Sequence, residues 1–464
     1  MSGHPLFNQD LISRYDKSGP RYTSYPTAPH FSDEFAEGSY RRVAESSNAA
    51  QEAESLKSLS LYFHIPFCNT VCFYCACNKI VTRDTSRAEV YLGYLLKEVE
   101  LQAQLFDSSR KVDQLHWGGG TPTYLSNQQQ ARLMEKTKEQ FSCWDDDSGE
   151  YSIELDPRTV TPDDMRFLRS IGFNRVSMGI QDFDPVVQKA VNRIQSEKET
   201  RAVIDAANQY GFRSVSVDLI YGLPFQTVAT FSQTLDKVIE ISPDRISVFN
   251  YAHLPELFKP QTRIKSIDLP SSKQKLMILK LIVEKLLDAG YVYIGMDHFA
   301  KPDDELAVAQ KNGTLYRNFQ GYSTHVQCDL VGMGVTAIGM IGSSYSQNTK
   351  SIDDYYRLLD ENQLPIVKGF ELSEDDLIRR EAITQLICHG ELNFSKMQGL
   401  FGVEVPEYFA KELQALEPLA EDGLVTIEPD TVRVTDSGMF LLRNICMVFD
   451  AYLDSGKQRF SKVI

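Results

Sequence analysis

The 464-residue chain lacks any apolar run approaching the 18 residues of a membrane-spanning helix, and its start, Met1-Ser-Gly-His-Pro-Leu-Phe-Asn-Gln-Asp, has neither a basic region nor an apolar core. Membrane and secretory readings therefore find no support. The chain also lacks a basic excess: 48 Lys and Arg face 63 Asp and Glu, for a net charge of −15. Such a surface repels phosphate backbones, so nucleic acid is not the expected partner. Cysteine is scarce, eight in the whole chain. With no export segment, this points to a reducing, cytoplasmic setting and not to a disulfide framework. A hydrophobic fraction of 42% fits a soluble enzyme, expected as a monomer.

Half of those few cysteines crowd into one loop, His64-Ile-Pro-Phe-Cys68-Asn-Thr-Val-Cys72-Phe-Tyr74-Cys75-Ala-Cys77. Disulfide geometry fits poorly between such close neighbours, so the thiols call for something soft and polynuclear. A structural zinc knuckle would need a second cysteine pair or downstream histidines at set spacing, and no such pair follows. A ferredoxin-like carrier would use other spacings in a shorter chain. The C-x3-C-x2-C triplet of Cys68, Cys72 and Cys75 resembles the signature of radical S-adenosylmethionine enzymes. There, three thiolates bind three irons of a [4Fe-4S] cluster, and S-adenosylmethionine chelates the fourth. Cys143, Cys328, Cys388 and Cys446 are scattered and read as small buried hydrophobes.

Apolar or alternating runs at 58–65, 112–117, 150–155, 174–180, 213–220 and 245–250 read as strands. Helical-period segments at 87–105, 128–141, 161–171, 197–210 and 227–241 separate them, several opening on Ser, Thr or Asp and closing on Gly. Strands alternating with helices imply a parallel sheet with right-handed crossovers, whose ligands sit at the carboxyl ends of the strands. The unusual residues fall at those ends. The cysteine loop follows the first strand and Gly118-Gly119-Gly120-Thr121 the second, while Glu154 and Asp156 close the third, Gln181 the fourth, Asp218 the fifth and Asn250-Tyr-Ala252-His253 the sixth. Three glycines permit close backbone approach to a ligand, although they also serve in plain tight turns. Glu154 suits a cofactor ammonium and Asp218 ribose hydroxyls; helix caps or solvated strand ends are the plainer readings, and for Asp156 the plainer one is taken.

A resemblance covers nearly the full length. Gly19-Pro-Arg21-Tyr-Thr-Ser-Tyr-Pro-Thr27, His116-Trp-Gly-Gly-Gly-Thr-Pro-Thr, Asp218-Leu-Ile-Tyr-Gly-Leu-Pro, Ser247-Val-Phe-Asn-Tyr-Ala-His-Leu-Pro, Gly295-Met-Asp-His-Phe-Ala-Lys-Pro-Asp-Asp-Glu-Leu and Arg443-Asn-Ile-Cys-Met are similar to the bacterial oxygen-independent coproporphyrinogen III oxidase family of heme biosynthesis. The related heme chaperones share the barrel and the triplet but typically lack both the segment at 20–26 and a fourth loop cysteine, and this chain has both. The resemblance implies an α/β fold, an incomplete (β/α)6 barrel with a C-terminal extension of the sheet over 58–359, an N-terminal extension over 1–57 contributing to the active site, and a mainly helical C-terminal domain with a short β-hairpin over 360–464. It implies Cys68, Cys72 and Cys75 as cluster ligands and Cys77 as a thiol needed for activity without binding the cluster. It also implies two S-adenosylmethionine molecules, the first at Tyr62, Gly119, Glu154 and Ile338, the second at Tyr74, Gly120, Thr121, Gln181, Arg193, Asp218 and Ala252. Position 74 is often Phe in relatives, so the contact there is a ring; Arg193 suits a carboxylate, whereas without the resemblance it reads as a surface ion pair.

The implied reaction converts two propionates of coproporphyrinogen III to vinyl groups, giving protoporphyrinogen IX. Cleavage of S-adenosylmethionine by one electron provides a radical that takes a hydrogen from the propionate, and CO2 and one more electron then leave. An electron donor and an acceptor are required and are not identified. Arg21, Arg263 and Lys265 are candidate cations for the substrate carboxylates. Asp297-His298 and Arg317-Asn-Phe-Gln-Gly321 receive no role, and a lone His298 is not read as a metal ligand. Helical segments at 374–389, 393–401 and 407–417 precede a hairpin at 424–434 that looks like a winged-helix wing. The acidic balance of this region favours packing near the barrel rim over DNA binding.

Overall fold

The computed structural model describes residues 8–15, 17–49, 56–325 and 328–453. The reading of the first seven residues, and the part of the C-terminal domain beyond 453, lie outside them. Six strands run parallel in sequence order: β1 Leu59–Ile65, β2 Lys111–Gly119, β3 Glu150–Leu155, β4 Arg175–Gln181, β5 Ser214–Tyr221 and β6 Arg245–Asn250. Each strand alternates in chemistry. Leu61, Phe63, Leu115, Trp117, Ile153, Met178, Val217 and Val248 are buried under the covering helices, while Ser60, Tyr62, His116, Ser152, Glu154, Ser177, Asp218 and Ser247 occupy the opposite, concave face. Parallel strands buried on both faces read as continuous apolar runs. Here the two-residue period shows a sheet curved around a polar lumen.

The intervening helices, Ser86–Ala103, Asn127–Gln140, Pro162–Ile171, Glu197–Gln209 and Val228–Ile241, return the chain over the outer face. Ser126, Thr161, Ser196 and Thr227 start four of them by capping the N3 amide, each in a reciprocal capping box. The sheet holds 13 strands and remains open. Beyond β6 it adds the hairpin of β7 Val292–Gly295 and β8 His298–Ala300. On the far side of β1 the expected extension of the sheet adds a further parallel strand, β9 Asp329–Met333, whose position the sequence reading did not give, followed by antiparallel β10 Ile338–Ile341, β11 Ser344–Asn348 and β12 Ile366–Glu371. The last of these belongs to the main sheet, so the sheet continues past residue 359. A buried ion pair, Arg110 Nη2 to Asp329 Oδ2 at 2.5 Å, fixes the start of β9 beside the start of β2.

The C-terminal region packs helices Glu374–His389, Phe394–Phe401, Val405–Tyr408, Ala410–Glu421 and Leu442–Met447 around a small sheet of Glu391–Asn393, Thr431–Val434 and Val425–Glu428. The hairpin foreseen at 424–434 is thus two strands of three. The N-terminal segment is clamped between this region and the antiparallel end of the sheet. Arg443 Nε donates to Pro20 O (3.0 Å), Tyr22 OH to Asp450 (2.9 Å), and Tyr345 OH to Tyr25 O (3.2 Å).

Candidate active site

The cysteine loop leaves the end of β1 and is held from several directions. Ile80 and Thr82 amides donate to Pro66 O (2.7 Å) and Cys68 O (3.0 Å), Phe73 N–H donates to Val191 O (2.9 Å), and Asn192 Nδ2 to Val71 O (2.7 Å). Gln261 Nε2 donates to Tyr74 O (2.9 Å), which ties the loop to the segment after β6 that begins with Ala252. Phe73 and Tyr74 pack against Val187, Val191, Leu223 and Tyr251, so the ring expected at position 74 is seated on an apolar cluster.

The thiols differ in surroundings. Cys72 is buried and faces two cations, Arg193 Nη1 at 3.7 Å and Arg158 Nη2 at 3.9 Å. Burial pushes the Cys68 thiol up to about 11, against a 3.6 Å hydrogen bond from Thr121 Oγ1. Cys77 lies on the exposed side of the loop; its hydrogen bond to Cys75 holds Cys75 down at about 5 and raises Cys77 itself. A tetrahedral zinc with Zn–S of about 2.3 Å would bring its sulfurs to about 3.8 Å from one another. Among the described residues, the only metal-ligating atoms lying within 4.8 Å of one another as a group of three or more come from Asp113, His325 and Cys328. Three closely spaced thiols with no second pair beside them suit a polynuclear centre better than one zinc.

Beside the loop stand the glycines at the end of β2. Gly119 has φ +113°, and a Cβ there would lie 2.7 Å from the His64 ring. That ring is fixed between Tyr62 OH (3.1 Å) and Asn78 O (3.1 Å). A Cβ on Gly120 would meet the Pro66 carbonyl carbon and Phe67 O at 2.7 Å, so only glycine lets β2 end against the start of the cysteine loop. The Gly120 and Thr121 amides donate to Ile65 O and Phe67 O, both at 2.8 Å. Glu154 projects from β3 towards this corner. Burial opposes its charge, but the His116 ring (3.2 Å) and the Gly119 amide (3.3 Å) outweigh it and keep the carboxyl below its ordinary value. Nearly half the Glu154 side chain (46%) still opens into the lumen, where a ligand ammonium would reach it. Tyr62 stacks on His116, with centroids 5.9 Å apart. Gly332 of β9 pairs with Tyr62, and a Cβ on it would strike the Ile338 backbone at 2.5 Å, so Ile338 lies across β9 from Tyr62.

On the other side of the lumen, Arg193 is buried, with Nη2 on Gly179 O (2.6 Å) and Nη1 on Asp156 (3.2 Å). The plain reading of Asp156 as a solvated strand end or helix cap is corrected here. It is buried, and its carboxylate grips both Arg193 and Arg158 (2.6 Å) because two guanidiniums beside the cysteine loop need an anion. Arg193 is likewise no surface ion pair. Gln181 adopts φ +68°, and both its Oε1 and Arg193 Nε are buried without a protein partner among the described residues. Unpaired buried polar atoms are costly, and these two fit a polar ligand. Burial, and then the nearby Glu154 carboxylate, push Asp218 up to about 7. The structure thus gathers Tyr62, Tyr74, Gly119, Gly120, Thr121, Glu154, Gln181, Arg193, Asp218, Ala252 and Ile338 around one end of the sheet. The candidate substrate cations fare differently. Arg21 is paired with Asp297 (2.9 Å) over the Phe249 ring, Arg263 lies over Phe73 (5.0 Å), and Lys265 is exposed. Sequence reasoning missed His116, which orients Glu154; its place two residues before the glycines was the available signal.

The signature of the Radical SAM superfamily matches residues 62–238, and that of the HemN C-terminal domain matches 372–441. Fold and rim together define a radical S-adenosylmethionine protein. The chain is 52% identical over 459 residues to the oxygen-independent coproporphyrinogen III oxidase of Pseudomonas aeruginosa strain PAO1, covering 99% of each, and 50% identical over 456 residues to that of Escherichia coli K12, covering 98% of each. The solved structure of coproporphyrinogen III oxidase (HemN) from Escherichia coli, described as a radical SAM enzyme, matches with a TM-score of 0.92 at 48% identity over 97% of this chain and 100% of that one. The chain belongs to the oxygen-independent coproporphyrinogen III oxidase family. Among the described residues no helix is long and apolar enough to cross a membrane.

Proposed function

We propose that this chain oxidatively decarboxylates two propionates of coproporphyrinogen III to vinyl groups without oxygen, giving protoporphyrinogen IX for heme synthesis. The observation that carries this reading is one end of the sheet that unites the cysteine triplet, a glycine cradle and the buried, unpartnered Gln181 Oε1 and Arg193 Nε. Cys68, Cys72 and Cys75 would hold the [4Fe-4S] cluster. Tyr62, Gly119, Glu154 and Ile338 would hold one S-adenosylmethionine, and Tyr74, Gly120, Thr121, Gln181, Arg193, Asp218 and Ala252 a second. Bound together, cluster and S-adenosylmethionine supply hydrogen-atom abstraction from an unactivated C–H bond, which no side chain can perform.

The chain's own residues bind and orient. Glu154, kept ionised by His116, accepts from an ammonium. Asp218, pushed up to about 7, is poised between accepting and donating towards hydroxyls. Arg158 and Arg193 place positive charge beside the Cys72 sulfur. The helical region after Glu371 and the N-terminal segment cover the lumen and keep water from the reacting atoms; the boundary between sheet and helical region is placed there because the last strand of the main sheet ends at Glu371. Working in the cytoplasm as a monomer, the chain would need an electron donor and an acceptor. Anaerobic reconstitution with reductant, S-adenosylmethionine and coproporphyrinogen III should yield 5′-deoxyadenosine and protoporphyrinogen IX together. Deoxyadenosine without the vinyl product refutes the substrate assignment and spares the radical chemistry.

A further inference from the structure

Arg317 sits on the short strand Tyr316–Asn318, nine-tenths buried (8% exposed). Among the described residues its side chain forms no ion pair and no hydrogen bond, and Nε and Nη1 are sealed from solvent without a partner. Its one contact of note is the Tyr322 ring, with the guanidinium 4.7 Å from the centroid. A guanidinium cannot shed its charge, so burying it unpaired is among the costlier arrangements a fold can hold. Three other buried arginines have a carboxylate beside them: Arg110 has Asp329, Arg175 has Glu305 and Arg193 has Asp156.

The surroundings add charge of the same sign. Arg317 lines a narrow cavity with Arg380, Thr23, Tyr25, Asn318 and Tyr345, between the N-terminal segment and helix Glu374–His389. Arg380 makes no ion pair there among the described residues, and its Nη1 lies 4.0 Å from the Met340 sulfur. The cavity is small, with a volume of about 20 Å3, which excludes a macrocycle and leaves room for a water or the carboxylate end of one arm. A chain of side-chain contacts leads from Arg317 towards the rim. Asp218, Ser247 and His298 lie in register across β5, β6 and β8; the His298 ring meets Tyr322 edge-on at 5.2 Å, and Tyr322 carries Arg317.

We propose that Arg317 is a specificity-determining anchor that takes one propionate carboxylate of the tetracarboxylate substrate, holding the macrocycle so that another propionate reaches the rim; this rests on the coproporphyrinogen reading above. The test compares wild type, Arg317→Gln and Arg317→Lys holoenzymes for binding of coproporphyrin III, a fluorescent stand-in with the same carboxylates, and of its tetramethyl ester. Wild type should prefer the acid, and Arg317→Gln should lose about tenfold to a hundredfold in affinity for the acid and less than about twofold for the ester. Arg317→Lys should recover part of the loss. The unliganded Arg317→Gln protein should melt at or above the wild-type temperature, since a buried unpaired charge has gone; a structural arginine would lower it. Equal loss for acid and ester, or acid binding by Arg317→Gln within about twofold of wild type, overturns the anchor. Should that variant not fold, wild type alone decides, because absence of acid preference over ester refutes it. Wild type that makes no vinyl product overturns the substrate reading instead, independently of Arg317.

Discussion

Gly119→Ala separates the two tasks of the glycine corner. Position 119 has φ +113°, and an added Cβ would sit 2.7 Å from the His64 ring. The backbone conformation costs about 1–2 kcal/mol for an L-residue, and the overlap adds about 1–3 kcal/mol if the ring cannot yield. It cannot yield easily, because its two nitrogens are held by Tyr62 OH and Asn78 O. Relief must come from the strand end, which carries the Gly119 amide away from Glu154, now 3.3 Å distant. If about 2 kcal/mol of this strain falls on the cofactor pocket, S-adenosylmethionine affinity drops about 30-fold. Iron content should stay near wild type, since the added Cβ meets the His64 ring and not the backbone that carries the cysteines. Gly120→Ala should lose both, because its Cβ would land 2.7 Å from the Pro66 and Phe67 backbone where that loop begins. Anaerobic equilibrium dialysis of S-adenosylmethionine with iron analysis reads both quantities. Gly119→Ala binding within threefold of wild type, or iron retained in full by Gly120→Ala, refutes the reasoning.

Cys72→Ser should abolish the brown cluster chromophore, whereas Cys77→Ser should keep iron and absorbance while losing turnover; iron loss in the latter would make Cys77 a ligand. Glu98 is buried and pushed up to about 7 by burial, although Tyr355 OH (2.5 Å), Gly334 N–H (2.8 Å) and Asn348 Nδ2 (2.7 Å) donate to it. Its unfolded value is about 4.3, so the folded state binds the extra proton between the two, and stability of about 3 kcal/mol present at low pH is lost as pH rises through 7. Urea melts from pH 5 to 8 should show that decline in wild type and a flatter one in Glu98→Gln; equal slopes count against it. Asp329→Asn strands the fully buried Arg110 and should destabilise the protein by about 3–5 kcal/mol in the same melts, with a loss below 1 kcal/mol contradicting the buried pair.

The strands and crossover helices were legible because each carries its own signal: a two-residue alternation over β3 and β5, capping boxes at Ser126 and Thr161, and a left-handed stop at Gly172. The cysteine triplet was legible because its spacing is local. Strand β9 was not, since Asp-Leu-Val-Gly-Met is short and gains its identity only by pairing with β1. Arg193 and Asp156 looked like surface charges one by one; they become a buried pair only when the loops after β3 and β4 converge on Cys72.

By itself the sequence determined the order of strands and helices, the four cysteines in their loop and the polar residues at the strand ends, because these depend on near neighbours in the chain. Only the tertiary structure decided which of those residues meet, that Glu154 is kept ionised by His116, and that Arg317 is buried without an anion. Those outcomes depend on burial and on partners from other strands and segments, and neither is written in any local stretch of sequence.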